Sequence, residues 1–299
     1  MSQIGNTIVH GDNLDVLRGL KAGSVELIYV DPPFNTGKRQ ARTQMKTVRD
    51  EAGDRVGFGG RRYRTELVEG TGTGYGDRFD DFIGFLRPRM VEAYRVLSET
   101  GSLFFHIDYR EVHYCKVMLD EIFTAEGKVS GRECFQNEII WAYDYGARST
   151  KRWPAKHDNI LWYTKDPKRY TFHLDESDRI PYMAPGLVGA VKAARGKTPT
   201  DVWWHTIVSP TGKEKTGYAT QKPLGVLERI VRVHSNAGDT VLDFFAGSGT
   251  MGEAAAKHGR QFVMVDESAE AVEVMKKRLE RYSPRLVCAS NSGSVKELS

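Results

Sequence analysis

Residues 240–250 read TVLDFFAGSGT, and how this stretch is read decides the fold. Thr240, Val241 and Leu242 suit a strand. Gly247 and Gly249 then let the backbone turn and approach a ligand, and TMGEAAAKHG (250–259) continues with helical composition. A second strand, QFVMVD (261–266), and a second helix, AEAVEVMKKRLERY (269–282), follow. Upstream, PLGVLERIVRVHS (223–235) reads as a helix with Pro223 in its first turn. Strands alternating with helices predict an α/β domain with a doubly wound, mostly parallel sheet.

A glycine turn between a strand and a helix amino terminus suits polar or anionic ligand groups. Asp266 ends the next strand, seventeen residues past Gly249. Nucleoside-binding folds place there the acid that holds ribose hydroxyls. A nicotinamide dinucleotide fits poorly, because AGSGT (246–250) lacks the third glycine of the pyrophosphate fingerprint. Asp243 also precedes the glycines, where it would repel a pyrophosphate but could hold an ammonium group. A ligand with an adenosine end and an amino-acid end satisfies both acids, and S-adenosylmethionine is such a ligand. GYATQKP (217–223) adds Lys222, a partner for that ligand's carboxylate.

The rest of the composition narrows the classes. The chain has 299 residues, 40% hydrophobic and 27% charged, the balance of a soluble globular protein. No apolar run approaches the roughly 20 residues of a membrane helix. MSQIGNTIVHGDN has no secretory-signal pattern, so a cytoplasmic protein with no membrane partner is expected. Cys115, Cys134 and Cys288 are far apart and form no CxxC pair, so neither a zinc site nor any other metal is expected. Net charge is only +4, but its distribution is uneven. Lys38 to Arg64 carries nine basic residues, including Lys38, Arg39, Arg61 and Arg62, against three acids. A second stretch mixes Arg148, Lys151, Arg152, Lys156, Lys165, Lys168 and Arg169 with Trp153, Trp162 and Tyr163. Basic clusters with aromatic neighbours suit a phosphate backbone and unstacked bases.

Near the amino end, IYVDPPFNTGK (28–38) raises a separate question. Consecutive prolines remove two backbone donors and stop the strand, which leaves Asp31 at its tip and Phe34 on a stiffened turn. Residues 38–77 hold eight glycines and read as a long mobile loop. FDDFIGFLRPRMVEAYRVL (79–97) has helical spacing that Pro88 is expected to split or kink. SLFFHID (102–108), NEIIWAYD (137–144) and NILWYTK (159–165) read as strands, residues 166–217 as irregular, and residues 283–299 as a loose tail.

With both ends in hand, the chain resembles the S-adenosylmethionine-dependent DNA amino-methyltransferases. DPPF at 31–34 precedes FAGSGT at 245–250, the order of the circularly permuted β group. GDNLDVL (11–17), GSLFFHID (101–108), NEIIWAYD and TGYATQKP strengthen the likeness, which spans roughly Gly11 to Arg281. It implies a Rossmann-like sheet with an inserted target-recognition region and a long basic loop. Residues 1–144 would form the catalytic half, 145–215 the recognition insertion and 216–282 the cofactor half. By the same resemblance Asp31, Pro32, Pro33 and Phe34 would serve the target base. Asp243, Phe245, Ala246, Gly247, Ser248, Gly249 and Thr250 would line the methionine end of the cofactor. Asp266 would hold the ribose, Asp12 and Asn13 would lie near the adenine, and Lys222 would take the carboxylate.

The chemistry explains the Asp-Pro-Pro segment. An exocyclic amino group is a poor nucleophile because its lone pair is delocalised. Two acceptors, the Asp31 carboxylate and the Pro32 carbonyl, would bind its hydrogens and stabilise the charge growing on nitrogen. Phe34 would stack on a base flipped out of duplex DNA. Carbon methylation of cytosine would need a cysteine nucleophile, usually after a proline, and none of the three cysteines follows a proline. Adenine N6 is the expected target, with cytosine N4 as the alternative and RNA as a more distant one. Lys38, Arg39, Arg61 and Arg62 would hold DNA, as would Arg148, Lys151, Arg152 and Trp153. His106 and Asp108 read as packing or hydrogen-bonding residues, and Trp203, Trp204 and His205 as core. A homodimer and a cognate restriction endonuclease are expected partners.

Overall fold

The computed structural model describes residues 5–35, 38–40, 44–49, 55–56, 62–68, 75–77, 79, 81–124, 130–145, 148–209, 212, 214–289 and 295–297. The chain divides into two compact units, residues 1–34 with 80–299, and residues 35–79.

In the larger unit the strands are β1 (Thr7–His10), β2 (Val25–Val30), β3 (Leu97–Ile107), β4 (Phe135–Ala142) and β5 (His157–Thr164). They continue with β6 (Val202–Trp204), β7 (Thr240–Asp243), β8 (Gln261–Asp266), β9 (Arg285–Ala289) and β10 (Val295–Glu297). The helices are α1 (Asn13–Gly19), α2 (Phe82–Val96), α3 (Val112–Phe123) and α4 (Gly131–Cys134). α5 (Ala190–Arg195), α6 (Leu224–His234), α7 (Thr250–Lys257) and α8 (Ala269–Leu279) complete the set.

One ten-stranded sheet runs in the order β6-β4-β5-β3-β2-β7-β8-β1-β9-β10. Neighbours from β3 to β9 are parallel, as expected. β5 is antiparallel to both β3 and β4. Helices cover both faces of a parallel sheet, so its strands read as continuous apolar runs. Leu27, Ile28, Tyr29 and Val30 of β2 are buried, as are Phe262, Val263, Met264 and Val265 of β8. Each such side chain contributes roughly 1.5–3 kcal/mol by leaving water. On α6, Val226, Leu227, Ile230 and Val231 form the buried stripe, and Ala254 and Ala255 of α7 join the same core.

This topology places the site. β2, β7 and β8 are parallel neighbours or next-neighbours, so Asp31, Asp243 and Asp266 emerge at the same end of the sheet. The antiparallel pairing His157↔Ala142 brings the connection between β4 and β5 to that end too.

Three expectations are corrected. Pro88 lies inside an unbroken α2. Its cost of about 3 kcal/mol is outweighed by burial of Leu86, Met90, Ala93 and Val96 along one face. The carboxyl end is no loose tail through residue 289, because β9 pairs with β1 and buries Val287. Residues 38–77 are not wholly a loop. In the smaller unit Lys38–Gln40 pairs with Tyr75–Asp77, and Arg62–Val68 pairs with Gln44–Arg49 and Arg55–Val56. The alternation Tyr63, Thr65, Leu67 was the period-two signal that the glycines obscured.

Candidate active site

The glycine turn after β7 is built from left-handed backbone, with φ of +49° at Gly247 and +72° at Gly249. Only glycine adopts such angles without strain, and a Cβ on Gly247 would also lie 3.0 Å from the Tyr218 ring. The Asp266 carboxylate braces the turn by accepting from Gly247 N and Ser268 N, both at 2.9 Å. Burial raises the Asp266 carboxyl above its ordinary range, against the pull of these two amides. Ser248 and Thr250 are buried, with hydroxyls 3.0 Å apart. Arg278 Nη1 reaches them at 3.2 and 2.8 Å while Arg278 Nε holds Glu253 at 2.6 Å. Both hydroxyls therefore support the turn from within, and Ala246 is buried beside them.

Asp243 is almost wholly buried and accepts from Phe245 N at 3.0 Å. Its carboxyl is pushed well above the usual range, chiefly by burial, then by the neighbouring charges of Asp31 and Asp266, with Lys222 opposing. A group in this state favours a cation beside it.

Asp12 caps α1, accepting from Leu14 N at 2.8 Å and Asp15 N at 3.1 Å. Asn13 Nδ2 donates to Phe244 O at 2.8 Å and so ties α1 to the end of β7. Arg89, which the sequence did not single out, joins them. It donates to Asn13 Oδ1 at 2.6 Å and Asp12 Oδ2 at 3.1 Å, with its guanidinium 3.9 Å from the Phe85 ring centre. Arg89→Ala should remove these two bonds and a third to Phe85 O, costing about 2 kcal/mol. A thermal melt should show this as a drop of about 4–8 °C.

At the tip of β2, Asp31 Oδ2 meets Lys222 Nζ, whose Nζ also lies 5.0 Å from the Phe34 ring centre. Lys222, expected at a cofactor carboxylate, thus has Asp31 as its partner in this structure. Asp31 Oδ1 is buried and has no hydrogen-bond partner among the described residues. Pro32 is buried next to it, with Pro33 and Phe34 half-buried. Beneath, His106 Nδ1 lies 3.7 Å from Asp31 Oδ1. The expectation of a hydrogen-bonding role holds for His106, and Asp108 likewise accepts from Arg110 N and Nε. Tyr29, Asp158 and Tyr143 complete this buried network, and sequence reasoning missed all three.

The expected DNA contacts divide. Arg148, Ser149, Thr150, Lys151 and Arg152 line one concave surface, and Trp153 beside it is 95% exposed. Ser149 Oγ accepts from Lys151 N and Arg152 N, both at 3.2 Å. Lys156 Nζ donates to Asp144 O at 3.0 Å and closes the base of this loop. Lys38 and Arg39 lie on a strand of the smaller unit, Arg62 is exposed there, and Arg61 lies outside the described residues. Trp203 is core as expected, but Trp204, its neighbour on the opposite face of β6, is 74% exposed.

Known proteins similar to this chain identify its family. The family model described as DNA methylase, for N6 and N4 enzymes, matches residues 25–277. DNA adenine methyltransferase YhdJ of Escherichia coli K12 is 29% identical over 92% of this chain and 82% of its own. Type II methyltransferase M.HpaI of Haemophilus parainfluenzae is 28% identical over 91% of this chain and 74% of its own. Among solved structures, the cytosine-N4-specific PvuII DNA methyltransferase has a TM-score of 0.61 at 14% identity, covering 92% of this chain and 86% of its own. The M1.HpyAVI–SAM complex has a TM-score of 0.56 at 22% identity, covering 91% of this chain and 98% of its own. At these identities the structural likeness speaks for the fold. The DNA methylase match runs from β2, which carries Asp31, to α8, beyond the glycine turn, and the chain belongs to that family.

Proposed function

We propose that this enzyme methylates the exocyclic N6 of an adenine flipped out of duplex DNA. The observation that carries the reading is Asp31 Oδ1, a buried carboxylate oxygen without a hydrogen-bond partner among the described residues. Buried acceptors are almost always satisfied, so such an oxygen marks the place of an incoming donor. An amino group supplies one.

S-adenosylmethionine is the methyl donor and supplies an electrophilic sulfonium methyl group when bound. The residues at the sheet end fit it: a glycine turn that admits a ligand to the backbone, with the buried Asp243 and the half-buried Asp266 suited to cationic and hydroxyl groups. Asp243 would face the cationic end, Asp266 the ribose, and Asp12 and Asn13 the adenine. Lys222 would exchange its Asp31 contact for the ligand carboxylate.

Asp31 takes one amino hydrogen of the target base and the Pro32 carbonyl the other, drawing the nitrogen toward tetrahedral geometry. As nitrogen gains the bond to the methyl carbon it becomes positive, the carbon–sulfur bond of the donor would break to leave S-adenosylhomocysteine, and the adjacent carboxylate stabilises the charge on nitrogen. One amino proton then leaves for solvent by way of Asp31. Phe34, on the rigid proline turn, stacks on the base. Adenine is favoured by the aspartate of DPPF and by the activity that the name of the relative YhdJ gives.

Recognition of the flanking sequence is assigned to residues 145–215, on the support of the basic concave surface and exposed Trp153. Replacing Arg148, Lys151 and Arg152 together with alanine should flatten the salt dependence of DNA binding. The log–log slope should fall by up to about 2–3, near 0.9 per phosphate contact. An unchanged slope in titrations at several salt concentrations would place the DNA elsewhere. Duplex DNA is the substrate, while a second copy of the chain and a restriction endonuclease are partners proposed on resemblance alone. Among the described residues no helix is long and apolar enough to cross a membrane, and a cytoplasmic setting is proposed.

Nucleoside mass spectrometry of DNA incubated with enzyme and S-adenosylmethionine tests the reading. N6-methyladenine is expected. N4-methylcytosine would keep the chemistry and change the base, and no modified nucleoside would overturn the proposal.

A further inference from the structure

The methyl transfer described above leaves a buried polar chain unused. His106 of β3 is fully buried, with Nδ1 2.7 Å from the Tyr29 hydroxyl and Nε2 3.2 Å from Asp158 Oδ2. The Tyr143 hydroxyl donates to the other Asp158 oxygen at 3.1 Å. Burial alone would raise the Asp158 carboxyl, but the His106 hydrogen bond, then the Lys222 charge and the Tyr143 hydrogen bond, hold it below the ordinary carboxylate range. Asp158 is therefore an ionised, acceptor-only group, and His106 Nε2 must carry a hydrogen to bond it. Burial, followed by the charges of Asp31, Asp243 and Asp158, pushes the Tyr29 hydroxyl well above its usual range, so it keeps its proton.

A neutral imidazole has one donor and one acceptor, and this environment satisfies both. Nε2–H donates to Asp158, and the Tyr29 hydroxyl donates to Nδ1. The ring then has no hydrogen left for Asp31 Oδ1, although that oxygen is only 3.7 Å from Nδ1. The Phe34 and Trp141 rings pack against the imidazole, with centroids 5.7 and 5.6 Å from that of His106. A hydrogen on Nδ1 would stand beside Asp31 Oδ1, a buried acceptor with no other described partner, and its positive end would compete there with an incoming donor.

We propose that Asp158 and Tyr29 lock His106 in the Nε2-protonated tautomer, making it a positioning residue that withholds a hydrogen from Asp31 and keeps Oδ1 open to the amino group of the target base. The proposal rests on the acceptor role given to Asp31. It assigns a task to a chain spanning β2, β3 and β5, three adjacent strands of the sheet. It also gives the buried Asp158, at the start of β5, a reason to be charged there.

Two measurements on the full-length enzyme test it. Two-bond nitrogen–proton NMR of ¹⁵N-histidine-labelled protein, with the His106 signals identified from H106Q, should show a neutral ring protonated at Nε2. Asp158→Asn keeps shape but presents an amide that donates to Nε2, which turns the tautomer and puts a hydrogen on Nδ1. Its kcat should fall on the order of 10–100-fold, with KM for DNA and affinity for S-adenosylmethionine near wild type. Asp158→Glu, which keeps the acceptor, should recover part of the loss. An Nδ1-protonated or doubly protonated ring in the wild type overturns the proposal. So does a turned tautomer in D158N with kcat intact. The NMR result stands even if D158N folds poorly. Methylation that survives Asp31→Ala would indict the acceptor reading instead, and leaves the tautomer result untouched.

Discussion

Asp31→Asn is expected to slow methyl transfer by roughly 10²–10³-fold, the scale of removing one preorganised electrostatic contact to a developing charge. The substitution preserves shape and one acceptor oxygen but removes the negative charge that the positive nitrogen needs. It also leaves an amide NH2 where the base amino group requires acceptors. Binding should move the other way. Lys222 loses its carboxylate partner and becomes freer for an anionic ligand group, so affinity for S-adenosylmethionine should equal or exceed that of wild type. Single-turnover rates and calorimetric binding measure the two effects separately. A rate within threefold of wild type would take the acceptor role away from Asp31.

Asp243→Asn should do the reverse, strengthening the fold while weakening the cofactor site. Asp243 is raised far above an ordinary carboxyl, mainly by burial and then by the Asp31 and Asp266 charges. The folded state therefore binds this proton more tightly than the unfolded chain does. Stability is gained below the ordinary carboxylate range and is lost as pH climbs from there toward the raised folded value. The amide removes that loss, so the variant should melt about 2–4 °C higher at pH 8 and show little difference at acid pH. A bound cationic group favours the ionised form, so wild-type affinity should rise with pH across the same interval and binding should release a proton. The variant should lose this pH dependence and bind roughly ten- to hundredfold more weakly. Calorimetry in buffers of differing ionisation enthalpy reads the proton count. Equal release by both proteins would show that the proton comes from another group.

What was legible in the sequence was local. The strand–turn–helix around Gly247 and the acids at strand ends announce themselves through period, turn chemistry and position, all readable within a dozen residues. The missed features are pairings across long separations. Arg89 reaches Asp12 and Asn13 from 77 and 76 positions away, and in sequence it is an ordinary basic residue on an amphipathic helix. His106 and Asp158 are 52 apart, and Asp158 looks like the polar start of an apolar strand. Arg278 sits among other basic residues near the end of α8, with nothing local to show that it props the hydroxyls of Ser248 and Thr250. Lys222 was legible as a site residue, but its partner depends on which group is present to compete for it. Pro88 misled because a propensity is weaker than a buried face.

The order of strands carries a consequence for how the enzyme is born. β1 and β2 leave the ribosome first, yet in the sheet they are separated by β7 and β8, which are made more than 200 residues later. Strands β2 to β5 can pair among themselves as β4-β5-β3-β2, but β1 cannot join them until β7 and β8 have been made. Asp31 waits 191 residues for Lys222, and Asn13 waits 231 for its bond to Phe244 O. Closing loops of that length slows folding and makes it cooperative. The active site is thus assembled in one late step, and a nascent or truncated chain that lacks β7 and β8 has no means of methylating the genome around it.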